Sequence, residues 1–142
     1  MWKKILLWVV VAGAAVGLLI QFVPYGREHS NPPVVSEPVW ADARTLELAR
    51  GACFDCHSNE TIWPWYSNIA PTSWLLTRDV EGGREALNFS EWQNDDQAIA
   101  AAESMEQGEM PPFQYGLMHA SARLSAEEKA ELIAGFRAMA GP

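Results

Sequence analysis

Hydrophobic patterning divides the chain before any single residue is considered. From Ile5 to Val23 it runs nineteen residues without a charge, long enough as a helix to cross a hydrocarbon core. Lys3 and Lys4 stand just before this run and Pro24 just after it. The positive-inside bias puts the two lysines in the cytoplasm and everything after Pro24 on the outer side. A secretory signal also begins basic and turns apolar, but its apolar stretch usually covers about 7 to 15 residues. No small-residue cleavage site closes the run here, because Gln21-Phe22-Val23-Pro24-Tyr25 is bulky. The pattern favours an uncleaved anchor. Residues 1–24 then form a cytoplasmic stub and transmembrane segment, 25–38 a proline-rich linker, and 39–142 a small domain. His29 lies in the linker, where a histidine is expected to be solvated.

Beyond the linker the periodicity is helical, and no run alternates as strands do. Val39, Ala43, Leu46, Ala49 and Cys53 recur at steps of three and four, predicting a first helix whose stripe ends at Cys53. A second is expected after Pro71, capped by Thr72 or Ser73 and ending at Gly82-Gly83. A third begins at Asn94, with Asp95 and Asp96 suiting the positive helix end and Gln97 completing a capping-box-like pattern. Its apolar positions are Ile99, Ala102 and Met105, and Gly108 stops it. The last opens on the capping box Ser125-Ala126-Glu127-Glu128 and carries Leu132, Ile133, Phe136 and Met139 as its stripe. The class is mostly α, a small helical domain behind one N-terminal transmembrane helix.

Charge narrows the function. All eighteen acidic residues and eight of the ten basic ones follow the anchor, a formal −10 for the outer part. No basic footprint for nucleic acid is present. An acidic surface keeps a protein soluble and also steers basic partners. With about 115 residues outside the membrane, the core is marginal by itself and would gain from a buried cofactor.

The chemistry is concentrated in Cys53-Phe54-Asp55-Cys56-His57, a Cys-x-x-Cys-His run that holds both cysteines of the chain. This is the attachment signature of c-type haem. Residues three apart share one face of a helical turn, so two thiols can reach the two vinyl groups along one porphyrin edge. His57 then presents an imidazole to the iron. A redox disulfide would belong to an alternating strand–helix fold. A zinc site would need four ligands, with only His29 and His119 left to complete it. Haem c, one and covalent, is the reading that the spacing favours.

A second axial ligand is sought opposite His57. Met110 stands first, since Met110-Pro111-Pro112 follows a helix stop and offers a soft thioether on a stiffened loop. His119 is the alternative, with Met105 and Met118 behind it. Trp63, Trp65 and Tyr66, in Trp-Pro-Trp-Tyr, are candidates to wall a haem pocket or to form ordinary core. Trp74 and Trp92 are expected in the core. Arg78 and Arg84 would pair with propionates or stay solvated on their helix.

These residues together resemble a known family. Cys53 to Pro71, Leu87-Asn88-Phe89-Ser90-Glu91-Trp92, Met110-Pro111-Pro112, and Met118-His119 ahead of Leu124-Ser125 are similar to the small bacterial haem-binding domain family related to cytochrome c. The likeness covers roughly Val39 to Met139, with Ala120 where similar sequences often carry a proline. It implies a cytochrome c-like fold, covalent haem at Cys53 and Cys56 with His57 on the iron, an N-terminal anchor and electron transfer. The expected protein is a single-pass inner-membrane protein with a periplasmic domain, passing single electrons between donor and acceptor proteins. Neither nucleic acid nor a small-molecule substrate is expected. A haem enzyme of peroxidase type, or a gas or redox sensor with a labile sixth position, is the alternative.

Overall fold

A computed structural model describes residues 1–141. Helices dominate, and no strand occurs among the described residues beyond one isolated parallel bridge, Ser36 with Glu91. The helices are α1 (Trp2–Leu19), α2 (Ala43–Ala52), α3 (Phe54–His57), α4 (Thr72–Ala86), α5 (Asp96–Gln107), α6 (Phe113–Met118) and α7 (Ala126–Met139). The chain forms two compact units: Met1–His29 with Trp63–Asp79, and Ser30–Ile62 with residues 80–141.

In the first unit α1 runs into a 3-10 turn, Ile20–Phe22, and is long and apolar enough to cross a membrane. Both lysines fall inside its first turn, so the helix starts earlier than the uncharged run. It ends before Val23, whose backbone is extended. The Gln21 amide then makes a two-bond bridge: Nε2 donates to the Ala70 carbonyl at 2.9 Å, and the Ala70 N–H donates to Oε1 at 3.0 Å. His29 is not solvated as expected. It is half-buried, its ring stacks on Trp63 at 4.5 Å, and its Nε2 lies 3.2 Å from the Ser67 carbonyl.

The second unit holds the main core. The Asp42 side chain accepts from the Thr45 N–H at 2.6 Å and so starts α2 four residues later than the sequence pattern suggests. Val39 lies outside the helix and is 90% exposed. The buried face is Thr45, Leu48, Ala49 and Ala52, with Leu46 at its edge. This phase follows from the partner: α7 packs on α2, and Gly135 lacks the Cβ that would strike Thr45. α5 starts at Asp96, two residues after Asn94. The Asn94 side chain accepts from the Asp96 N–H, and Gln97 reaches back to the Gln93 N–H. Ala98, Ala102 and Met105 are its buried face, whereas Ile99 is partly exposed. Gly108 closes it in the left-handed region, as expected.

α7 has the predicted capping box in full and buries Leu132 and Phe136 against α5 and α2. Phe89 anchors an aromatic cluster, with Trp40, Phe54, Trp92 and Phe136 at 5.2 to 6.0 Å between ring centres. Residues of the proline-rich stretch are tied down here as well: Val35 and Ser36 donate to the Ser90 carbonyl, and Trp92 donates to that of Ser36.

Candidate functional site

The cysteine–histidine run is built from two helix ends. Cys53 closes α2, its N–H donating to the Ala49 carbonyl at 2.8 Å. Its own carbonyl accepts from Cys56 at 3.2 Å and His57 at 2.9 Å, which winds the single turn of α3. Cys53 and Cys56 thus stand three residues apart on one turn, with His57 next. Neither is in a disulfide, and both are half-buried. Burial, with a smaller contribution from the neighbouring Cys56, pushes the Cys53 thiol up to about 12, so it keeps its proton at neutral pH.

His57 is held by two carbonyls. Its Nδ1 lies 2.9 Å from the Gly83 oxygen and 3.1 Å from that of Leu87. Carbonyls only accept, so Nδ1 carries the proton and Nε2 carries the lone pair. No described residue bonds to Nε2. Burial lowers the proton affinity of this imidazole against the smaller opposing effect of the two carbonyls. A neutral ring with one nitrogen anchored and the other open is what an axial metal ligand requires.

The second helix of the sequence reading was expected to stop at Gly82-Gly83, yet α4 continues through both to Ala86. At Gly83 the reason is close approach. A Cβ there would lie 2.5 Å from the Cys56 carbonyl oxygen. The missing side chain lets the helix backbone come near enough for its carbonyl to accept the hydrogen bond from His57 Nδ1.

A polar shelf holds the turn from the other side. The Phe89 N–H donates to the His57 carbonyl at 2.8 Å, and Ser58 Oγ donates to that of Phe54 at 2.8 Å. Asn88 donates to Asn59 Oδ1, while Asn59 donates from its backbone to Ser90 Oγ and from its amide to Glu91, each at 2.9 Å. Arg84 serves this shelf. Its guanidinium binds the Ser58 and Ser30 carbonyls, Asn31 and Thr61 at 2.8 to 3.0 Å. These bonds use four of its five N–H donors. Arg78 stays exposed.

Met110 lies on the loop between α5 and α6, as the sequence predicts. It lines an open cleft of about 340 Å³ with Pro111, Phe113, Leu117, Arg123 and Leu124. Met105 is locked in the core and Met118 points to solvent, 65% exposed. His119 is half-buried and stacks on Tyr115, ring centres 4.0 Å apart, with Nδ1 3.3 Å from the Tyr115 carbonyl. The Tyr115 hydroxyl donates to Asp55 Oδ2 at 2.6 Å. Burial, then this bond, raises the phenol above its ordinary value. Trp63, Trp65 and Tyr66 belong to the first unit, where Trp63 stacks on His29 and Trp65 meets Tyr66 edge-on at 5.7 Å.

The model of a haem-binding domain family matches residues 15–138, from within α1 to within α7. The chain belongs to that family. No curated protein and no solved structure matches it.

The residues present fit a haem. Two thiols on one helical turn could reach the vinyl groups of a porphyrin, and a neutral imidazole with an open Nε2 could bind its iron. Among the described residues no three His, Cys, Asp or Glu side chains converge as an ion site. The sequence reading of this haem-binding domain missed Gly83 and Leu87, which act through carbonyls that every residue possesses. It missed Tyr115 too. The signal was there in Asp55, a short acid placed between the cysteines, but its partner is sixty residues away.

Proposed function

We propose that this haem-binding protein is a membrane-anchored c-type cytochrome of the bacterial periplasm that carries single electrons and catalyses no bond chemistry. The observation that carries this reading is His57, next in the chain to Cys56, whose Nδ1 proton is held by the Gly83 and Leu87 carbonyls so that Nε2 keeps its lone pair. The two thiols would hold one haem through thioether bonds, and the haem, when bound, supplies a one-electron iron centre. Met110 is the proposed sixth ligand, which with His57 would raise the reduction potential. His119 is the alternative. α1 is the proposed inner-membrane anchor, N-terminus inward. The acidic outer part suits basic donor and acceptor proteins.

Optical spectra of the purified full-length protein, oxidised and reduced, test this. A low-spin six-coordinate spectrum with a weak near-infrared methionine–iron band, lost in Met110→Ala but kept in Met118→Ala, supports the carrier with its His/Met pair. A bis-histidine spectrum lost in His119→Ala would put His119 in that place. Tight carbon monoxide binding by the reduced protein, together with rapid peroxidase turnover, would overturn the carrier in favour of an enzyme or gas sensor.

A further inference from the structure

We propose that Asp55 and Tyr115 are a pair of positioning residues: their hydrogen bond ties the Met110–His119 segment to the haem-attachment turn and keeps its sixth ligand in place. The proposal rests on the covalent-haem reading above. Asp55 is itself fixed. Its carbonyl accepts from Thr61 Oγ1 at 2.8 Å, and its Oδ1 accepts from the Ile62 N–H at 2.9 Å. Oδ2 is left to take the Tyr115 hydroxyl at 2.6 Å, at the short end for an O–H···O bond.

Tyr115 sits mid-way along α6, with Met110 ahead of that helix and His119 just past its end. Its ring stacks on His119, and its carbonyl meets His119 Nδ1. One phenol therefore connects the cysteine turn to the segment that carries both candidate ligands. The tie matters because the segment has little other anchorage. α6 buries none of its residues, and Phe113, Leu117 and Met118 are 80%, 63% and 65% exposed. A single hydrogen bond is of the size that shifts an open–closed equilibrium about tenfold. On a segment without core packing, that shift reaches the coordination position directly.

The test uses the full-length haem-loaded protein in detergent, as wild type, Tyr115→Phe, Asp55→Asn and the double variant. Tyr115→Phe removes one oxygen; Asp55→Asn leaves one of the two donors facing an amide N–H. Covalent haem is verified first on a denaturing gel. Carbon monoxide association with the reduced protein and the reduction potential are then measured. Both single variants should keep covalent haem and helix content, bind carbon monoxide about tenfold faster and show a lowered potential. The double variant should match Tyr115→Phe, because the phenyl ring already lacks the bond through which Asp55 would act. Haem-loaded single variants with unchanged association rate and potential would overturn the positioning role and leave the haem reading standing, as would additive effects in the double variant. A wild-type chain without covalent haem would instead overturn the reading on which the proposal rests.

Discussion

Gly82 and Gly83 are adjacent in α4 and do different work. A Cβ at Gly82 meets nothing within 4 Å, whereas one at Gly83 would meet the Cys56 carbonyl oxygen at 2.5 Å. A glycine in a helix interior ordinarily costs stability relative to alanine. Gly82→Ala should therefore stabilise the protein by up to about 1 kcal/mol. Gly83→Ala should destabilise it by about 1–3 kcal/mol and loosen the hold on His57. Urea unfolding of the two variants checks both signs, and equal effects would show that Gly83 is not a contact point. The proposed attachment residues stand out in the sequence because covalent haem would need two thiols and an imidazole contiguous in the chain. The carbonyls of Gly83 and Leu87 were not, since a main-chain acceptor leaves no mark in residue type. Adjacent glycines looked like a helix end when one of them is a place of close approach.

At the scale of elements, periodicity revealed where helices lie better than which way they face. Steps of three and four identify α2 and α5, but their phase is set by α7, whose Gly135 admits Thr45 and whose Leu132 and Phe136 fill the middle. Thus Val39 and Ile99, both members of the predicted stripes, end outside the core. Leu132→Ala should cost about 2–5 kcal/mol, while Val39→Ala should stay within about 0.5 kcal/mol. Chemical denaturation separates these; a large loss at Val39 would contradict the observed phase. The Ser125 capping box and the Gly108 stop were legible, because their chemistry is local, whereas the Asp42 cap was hidden by a stripe that ran back to Val39. Asp42 is held below its ordinary 3.8, chiefly by the Thr45 backbone bond, and Glu128 below 4.5, chiefly by that of Ser125. A depressed carboxyl stabilises the fold fully above its unfolded value and loses that contribution as pH falls through the lower folded one. Asp42→Asn should flatten the fall of the thermal midpoint below about pH 4 and change its slope little near neutrality. An unchanged acid limb would remove Asp42 from that role.

At the scale of the whole molecule, an apolar helix precedes a strongly acidic remainder that belongs to a haem-binding family. If that charge steers partners, electron exchange with a cationic redox protein should be fast and slow steeply with added salt. An alkaline phosphatase fused to the C-terminus should be active, as the proposed outward domain demands. A mature N-terminus near Tyr25 would rule out the anchor. The most direct test of the account is the intact mass of the full-length protein after denaturation, made with a haem-attachment system present. The predicted result is the polypeptide plus one haem, reduced to the bare polypeptide when Cys53 and Cys56 are both replaced by alanine. A wild-type chain that releases its haem into acid acetone and leaves two alkylatable thiols would contradict it.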